Sequence, residues 1–255
     1  MFANYHTHTA RCHHATGEDK AYVEAAIQNG FQVLGFSDHC PWIFSDGYVS
    51  PIRMTPDELD GYVTSLTALK KEYAADITIY IGLESEYVPE MLPEQQKFLQ
   101  DYPIDYQILG EHFLYPEQSG IYTGRPTDDA AELKHYVDQV IAGMETGNYL
   151  YLAHPDLFHF IGDSALYEQE FRRLCVYLKE KQIPIEINQL GLADHRQYPN
   201  PAFLKIAESV GNTAIIGCDA HHPSALLDTD SQQACKKLAE QYHLSLVKVF
   251  PQLSR

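Results

Sequence analysis

The sequence predicts an α/β fold with a parallel sheet. Short apolar segments alternate with longer amphipathic segments roughly seven times along the 255 residues, and such alternation is typical of β–α units. Apolar residues form 45% of the chain, which is enough for a sizeable core. The alternation is compatible with a closed barrel and with an open, doubly wound sheet. No GxGxxG sequence follows the first predicted strand, which argues against an open sheet of the dinucleotide-binding type.

The predicted elements follow from hydrophobic periodicity and from the residues that end it. Strands are expected at Ala3–His8, Val33–Asp38, Ile77–Leu83, Tyr106–Leu109, Tyr149–Ala153, Ile183–Ile187 and Thr213–Cys218, with a short last strand at Leu246–Phe250. Helices are expected between them at Lys20–Gln28, Pro56–Glu72, Asp129–Glu145, Leu166–Lys181, Pro201–Val210 and Asp230–Tyr242. Two long irregular segments remain, Cys40–Thr55 and Phe113–Thr127, and loops of that length are often functional.

The charge balance excludes several classes of partner. The chain has 18 Lys and Arg against 35 Asp and Glu, a net charge of −17. Such a surface disfavours nucleic acids and anionic membranes as general partners. An anionic substrate would therefore need a local positive site, which bound cations could supply.

Cysteine usage and the N-terminal residues indicate a cytoplasmic protein. The five cysteines are odd in number and include no CxxC pair, so we expect no disulfide framework. Met1–Ala10 has neither a basic region nor an apolar stretch, which argues against a signal peptide. No apolar run approaches the roughly 18 residues that a membrane span needs.

Histidine placement is the main chemical signal. His6 and His8 follow the first predicted strand, and residues two apart on a strand point to the same face. Two imidazoles so placed could bind one cation, although two surface histidines would give the same pattern.

Later strand ends strengthen the metal interpretation. Each of five further predicted strands is followed by a histidine or a carboxylate; these residues are His39, Glu84, Glu86, His112, His154, Asp219 and His221. In a parallel barrel all these ends meet on one face, where active sites lie. Imidazole with carboxylate favours Zn, Mn or Fe over Mg or Ca. So many donors exceed the needs of one ion, so we expect two or three cations that activate a water and clamp a phosphoryl group.

Several motifs together resemble the polymerase and histidinol phosphatase (PHP) family. They are His6-x-His8, His14 six residues later, Ser37-Asp38-His39, Gly82-Leu83-Glu84, Gly110-Glu111-His112, Ala153-His154-Pro155 and Asp219-Ala220-His221. Within this family the chain is similar to the monofunctional histidinol-phosphatase branch. The features that carry this closer likeness are Arg53-Met54, Tyr62, Tyr73, Ile81-Gly82-Leu83-Glu84 and Tyr102-Pro103-Ile104-Asp105-Tyr106.

The resemblance implies a distorted (β/α)7, TIM-like barrel, formed as a single domain over residues 1–255, with three divalent cations. It assigns one cation to His6, His8, Glu84 and Asp219, a second to Glu84, His112 and His154, and a third to His14, His39 and His221. Only the resemblance points to His14 rather than its neighbour His13. Glu111 departs from the family pattern, in which a small or apolar residue often precedes the histidine.

The implied activity is hydrolysis of L-histidinol phosphate by a metal-bridging hydroxide. Arg196 follows the sixth strand and is expected to bind the phosphate through two hydrogen bonds. His222 is expected to bind substrate or to protonate the leaving alkoxide, while Asp219 serves both as ligand and as catalytic residue. Asn188 and Arg53 are further candidate substrate contacts.

Three alternatives remain open from the sequence. The chain could hydrolyse another small phosphomonoester, a nucleotide or phosphotyrosine on the same scaffold. It could be a proofreading exonuclease or a non-catalytic polymerase module, which the acidic charge and the lack of a further domain disfavour. It could also bind metal without turnover, which the complete ligand set and Arg196 disfavour. Whether the protein is oligomeric is not indicated.

Overall fold

The computed structural model describes residues 2–118 and 120–253. The chain divides into two compact units. Among the described residues, the first unit contains residues 2–108, 218–230 and 248–253, and the second contains residues 109–217 and 231–247. The predicted single domain over residues 1–255 remains a prediction, and its residues 1, 119, 254 and 255 lie outside the described part.

The first unit is built on a parallel sheet whose strands follow in chain order. Its strands are β1 (Ala3–Asn4), β2 (Val33–His39), β3 (Thr78–Ser85) and β4 (Tyr106–Leu109), of which the last residue belongs to the second unit. Its helices are α1 (Asp19–Gln28), α2 (Leu59–Glu72) and α3 (Leu92–Leu99). Pairing of β2 with β3 aligns His39 with Glu84, so two candidate metal ligands lie side by side at the carboxyl ends of adjacent strands.

The core of the first unit lies between this sheet and its helices. β2 is buried along its whole length, as expected for a parallel strand covered on both faces. Leu34 and Phe36 from β2 and Ile81 from β3 join the same apolar cluster as Tyr22 from α1 and Leu66 from α2. Burying such side chains stabilises the fold by about 1.5–3 kcal/mol each.

Tyr106 of β4 occupies space that two glycines leave open. Its hydroxyl donates to the backbone oxygens of Tyr5 at 2.7 Å and Phe36 at 3.0 Å. A Cβ on Gly82 would lie 2.5 Å from the Tyr106 ring, and one on Gly35 would approach the same side chain. Tyr106 therefore links β3, which carries Glu84, to the chain that leads to the first two histidines.

The second unit combines a smaller parallel sheet with longer helices. Its strands, in sheet order, are β5 (Ile185–Asn188), β6 (Thr213–Gly217) and β7 (Ser245–Leu246). Its helices are α4 (Ala130–Glu145), α5 (Ser164–Glu180), α6 (Gln189–Ala193), α7 (Pro201–Val210) and most of α8 (Thr229–Gln241). Side-chain N-caps begin four of them, since Asp129, Asp163, Asn188 and Asn200 accept from backbone N–H groups of the first turn.

Several predicted elements are wrong in extent or type. Tyr149–Ala153 forms no strand, because only Leu152 pairs, through single bridges to Leu109 and Ile185. β1 ends at Asn4, whose side chain replaces ladder bonds by contacting His6 and Thr7. The last strand is Ser245–Leu246 instead of Leu246–Phe250, and the short helices α3 and α6 were not predicted.

All five cysteines are buried, and they are unbridged, in agreement with the expectation of no disulfide framework. Burial raises the pKa of the Cys40 and Cys175 thiols to about 12, which keeps both protonated at neutral pH. No helix in the described part of the chain has the length and apolar character that a membrane crossing requires.

The contact between Gly82 and Tyr106 gives a direct test of this packing. Gly82→Ala should destabilise the protein by about 1–3 kcal/mol, since the added methyl group overpacks a filled core. Gly61, by contrast, lies in α2, and a Cβ added there would meet nothing within 4 Å. Gly61→Ala should therefore stabilise the protein by up to about 1 kcal/mol, because alanine favours the helix more than glycine does. Urea unfolding of both variants measures the difference, and equal stabilities would contradict the described packing.

Candidate metal centre

Buried polar contacts of Asn4 position the first two histidines. Its amide group donates to the backbone oxygen of His6 at 3.0 Å, and its carbonyl oxygen accepts from the Cys218 N–H at 2.8 Å. Just beyond, Thr7 forms a parallel bridge with Ala220, and the His8 N–H donates to the Ala220 oxygen at 2.9 Å. The segment that carries His6 and His8 therefore lies beside the segment that carries Asp219 and His221.

Asp219 occupies a backbone conformation that is uncommon for residues other than glycine. Its φ is 50°, in the left-handed region that favours glycine. Non-glycine residues in this region cluster at functional sites, where the surrounding structure enforces them. Two hydrogen bonds hold the residues on either side of Asp219. The Ala220 oxygen accepts from the His8 N–H, and the Cys218 N–H donates to the Asn4 side chain.

Two buried carboxylates lie among the imidazoles. Glu84 has its Oε1 3.4 Å from His6 Nε2, and its Oε2 lies 3.5 Å from His8 Nε2 and 3.4 Å from His39 Nδ1. Asp219 Oδ1 lies 3.4 Å from His6 Nε2 and 3.1 Å from His8 Nε2. Both carboxylates thus share the same histidines, as residues that bridge neighbouring cations would.

A second group of imidazoles lies next to the first. His221 Nε2 is 3.0 Å from His14 Nε2, and a nitrogen of His39 completes a group of three possible ligands. The His14 ring is oriented by its Nδ1, which contacts the Cys12 oxygen at 2.7 Å. His13 instead faces Glu58, with 3.7 Å between Nε2 and Oε2. The geometry therefore places His14, and not His13, beside the other candidate ligands.

Protonation of these groups is strongly coupled. Burial would raise the pKa of Asp219, but the charge of His6 and a hydrogen bond from His8 hold it well below its usual range. Burial lowers the pKa of His8, yet hydrogen bonds to Asp219 and Asp38 outweigh it and raise that pKa well above the ordinary value. Burial and the His8 charge lower the pKa of His221 to about 3. His221 is therefore neutral at pH 7, whereas His8 must release a proton when a cation binds.

The donor set fits divalent cations. Ligands bound at about 2.1 Å in a tetrahedron lie roughly 3.4 Å apart, and the donor pairs here are 3.0–3.5 Å apart. Imidazoles with carboxylates suit Zn, Mn or Fe. Three overlapping groups of possible ligands form in this unit: His6 with His8 and Asp219, His8 with His39 and Glu84, and His14 with His39 and His221. A fourth group adds the Cys12 thiol to His8 and His221.

The second unit brings together the two remaining predicted ligands. The rings of His112 and His154 have centroids 5.0 Å apart. His154 has a φ of 25°, and its N–H donates to the buried Glu186 at 3.0 Å. The backbone N–H and the hydroxyl of Thr123 both donate to the His112 oxygen, which holds the backbone at His112. The assignment of both histidines to a metal remains a prediction from the sequence.

Two of the predicted substrate contacts are engaged inside the protein. Asn188 is 1% exposed; its amide donates to Glu186 at 2.8 Å, and its oxygen caps α6 by accepting from Gly191 N–H. Arg53 is also 1% exposed, and its guanidinium donates two bonds of 3.0 Å to Glu86. These contacts give both side chains a structural role, and their contact with substrate remains a prediction.

The other two predicted substrate contacts are accessible. The Arg196 side chain is 39% exposed and pairs with Asp194 at 2.8 Å, and it also donates to the Tyr198 hydroxyl. His222 is exposed, and its Nδ1 lies 2.5 Å from the Ser224 hydroxyl. The contact with Ser224 uses Nδ1, so the second ring nitrogen of His222, Nε2, takes no part in it.

Comparison with known proteins identifies the family. The PHP domain model matches residues 4–190, more than two thirds of the chain. The chain belongs to the PHP family. This confirms the resemblance inferred from the motifs, and the named relatives are histidinol-phosphatases, as the predicted branch requires.

Similar proteins cover most of this PHP chain. A Deinococcus radiodurans protein named "Probable histidinol-phosphatase" is 28% identical over 229 residues, covering 86% of this chain and 85% of the relative. The histidinol phosphate phosphatase of Lactococcus lactis, solved with zinc, L-histidinol and phosphate, matches with a TM-score of 0.74 at 19% identity, covering 99% of this chain and 97% of that one. A structure from work on metal-dependent tyrosine phosphatases of Bacillus subtilis and Streptococcus pneumoniae reaches 0.54 at 16% identity, covering 94% and 87%. These likenesses confirm the predicted fold class, an α/β fold of the distorted TIM-like barrel type.

Sequence reasoning missed a layer of residues behind the histidines. Asp38 contacts His8, Thr9 and the His39 N–H, although the sequence suggested no role for it. Trp42 and Arg53 both bond Glu86, which links the long loop after β2 to the end of β3. A carboxylate directly before a ligand on a wholly buried strand is the signal that could have identified Asp38.

Replacing Glu84 tests the centre without reference to any substrate. Glu84→Gln keeps the shape of the side chain but removes the charge shared by three imidazoles, so the protein should retain fewer divalent cations after loading and desalting. Elemental analysis measures the metal content per chain. His243→Ala is the control, because that side chain is 81% exposed and pairs only with Glu208 among the described ion pairs. Full metal content in Glu84→Gln would exclude Glu84 as a ligand.

Proposed function

We propose that this PHP protein is an L-histidinol-phosphate phosphatase that works with three divalent cations. The reaction adds water to the phosphorus centre, breaks the bond to the alcohol oxygen, and yields L-histidinol and phosphate. The observation that carries the proposal is the convergence of buried imidazoles with Glu84 and Asp219 at ligand spacing.

The arrangement of donors supports more than one cation. Glu84 directs one oxygen toward His6 and the other toward His8 and His39, so its two oxygens serve different neighbours. His14 and His221 lie together beyond His39. One cation would be held by His6, His8, Glu84 and Asp219. Another would be held by His14, His39 and His221, and the predicted third would involve His112 and His154.

The relatives support the substrate class. The Lactococcus lactis structure was solved with zinc, L-histidinol and phosphate, and the Deinococcus radiodurans relative carries the histidinol-phosphatase name. When bound, divalent cations lower the pKa of a water, screen the phosphate oxygens and stabilise the leaving oxygen. Their positive charge would also attract a phosphate dianion to a protein with a net charge of −17.

The side chains of this protein would then bind the phosphate and move the proton. Arg196 would exchange its exposed partner Asp194 for two phosphate oxygens, since a guanidinium binds phosphate in a bidentate manner. His222, held at Nδ1 by Ser224, would present its other nitrogen to the leaving alkoxide and donate a proton. Asp219 would hold His6 and His8 in the orientation in which they bind a cation.

A second candidate is the hydrolysis of phosphotyrosine or another small phosphomonoester. The fold is also similar to that of metal-dependent tyrosine phosphatases, at a TM-score of 0.54. The ligand set would be the same in both cases, so the substrate distinguishes them and the metal content does not.

A substrate panel tests the proposed function. With the Mn- or Zn-loaded protein, histidinol phosphate should have a kcat/KM at least about tenfold above those of p-nitrophenyl phosphate and phosphotyrosine, a difference of about 1.4 kcal/mol in transition-state binding. Histidinol phosphate hydrolysed no faster than p-nitrophenyl phosphate would contradict the proposal. Fewer than two cations per chain after loading would contradict the trinuclear centre.

Arg196→Ala tests the phosphate contact. Removing the guanidinium should raise KM strongly while metal content stays unchanged, because Arg196 is not among the proposed metal ligands. Arg172→Ala is a matched control, since Arg172 also pairs with an exposed acid, Glu168. Loss of metal from Arg196→Ala would mean that Arg196 supports the centre and does not bind substrate.

A further inference from the structure

Asp38 is a buried carboxylate that lies behind the candidate metal ligands. It is fully buried on β2, one residue before His39. Its own N–H lies 3.5 Å from the Tyr62 hydroxyl, which donates to the Gly82 oxygen at 2.7 Å on the neighbouring strand. Tyr62 of α2 therefore links the backbone of Asp38 on β2 to β3.

The carboxylate of Asp38 contacts two candidate ligands from different segments of the chain. Oδ1 lies 3.3 Å from His8 Nδ1 and accepts the His39 N–H at 2.9 Å. Oδ2 accepts a short hydrogen bond from the Thr9 hydroxyl. One side chain thus joins the chain after β1 to the end of β2.

We propose that Asp38 is a positioning residue that prepares His8 and His39 for cation binding. A carboxylate only accepts hydrogen bonds, so the His8 proton that remains once a cation has displaced the other lies on Nδ1, and Nε2 is the nitrogen presented to the cation. That Nε2 is the atom that lies 3.1 Å from Asp219 and 3.5 Å from Glu84. Asp38 therefore fixes both the ring orientation and the tautomer of His8.

The negative charge of Asp38 also makes His8 a better ligand. A carboxylate bonded to the far nitrogen of an imidazole raises the basicity of the coordinating nitrogen, and loss of such a partner costs about 10–100-fold in metal affinity. The bond to the His39 N–H extends this effect to a second ligand, because movement of Asp38 would displace both. This inference rests on the proposed metal-dependent function, but not on the identity of the substrate.

Two variants of Asp38 separate its charge from its shape. Asp38→Asn retains an oxygen that can accept from His8 and His39, whereas Asp38→Ala removes both oxygens. We expect the Kd for Zn, measured by competition with a chelating dye, to rise about 10–100-fold in Asp38→Asn and at least as much in Asp38→Ala. In the Zn-loaded protein, the 15N and 1H resonances of the His8 Nδ1–H group should shift in Asp38→Asn, because an amide oxygen is a weaker acceptor.

Asp19→Asn is the matched control. Asp19 is 8% exposed in the same unit and accepts hydrogen bonds from Arg11 and Ser65. Its replacement should lower stability but leave the Kd for Zn and the His8 resonances unchanged. Unchanged Kd and resonances in Asp38→Asn would overturn the proposal, as would an equal loss of affinity in Asp19→Asn.

The outcome is independent of the proposed substrate. If Asp38→Ala does not fold, Asp38→Asn alone decides, since it preserves the side-chain volume. A parent protein that binds Zn tightly but does not hydrolyse histidinol phosphate would refute the proposed function and leave the role of Asp38 standing.

Discussion

The candidate metal centre of this protein depends on two carboxylates that are buried among imidazoles. Glu84 and Asp219 are 1% and 5% exposed, and each lies within 3.5 Å of two or more histidine nitrogens. Buried charges are costly unless they are paired or bind a metal. The surrounding fold satisfies this requirement, because it places His6 and His8 beside both acids and His39 beside Glu84.

Contacts behind the histidines hold this arrangement in place. Asn4 connects the first histidine segment to Cys218, and Tyr106 fills the space that Gly82 leaves on β3, the strand that carries Glu84. Asp38 adds the bond to His8 Nδ1. Each of these side chains is buried and uses its polar atoms within the protein, so the ligands are positioned before a cation arrives.

The sequence allowed accurate prediction where burial dominates local structure. The bounds of β4 and α7 agree with the predicted ones, and β2 differs by a single residue. Strand ends also indicated Glu84, His39, Asp219 and His221, because the carboxyl ends of parallel strands are the expected location of a site. Tyr149–Ala153 is apolar like a strand, yet it pairs only through Leu152, and the sequence carries no signal of how many residues will pair.

Other features depend on partners that are distant in sequence. Arg53 looked like a loop arginine, but its partner Glu86 follows 33 residues later and buries it. Asn188, a predicted substrate contact, also caps α6 and bonds Glu186, and neither contact could be read from the sequence. His14 came from the family resemblance alone, since an isolated loop histidine has no periodicity that could indicate a ligand.

The bridge between Thr7 and Ala220 has a consequence for how the protein acquires its metal. It joins residues 213 positions apart, so the two halves of the ligand set meet only after the long segment between them has been synthesised. Closing so long a loop costs conformational entropy, although the cost grows only slowly with length. Cations that bind the completed centre, and not the unfolded chain, would stabilise the folded state by mass action. The yield of folded protein would therefore depend on the supply of metal. The cation would bind late in folding and stabilise a chain that is already compact.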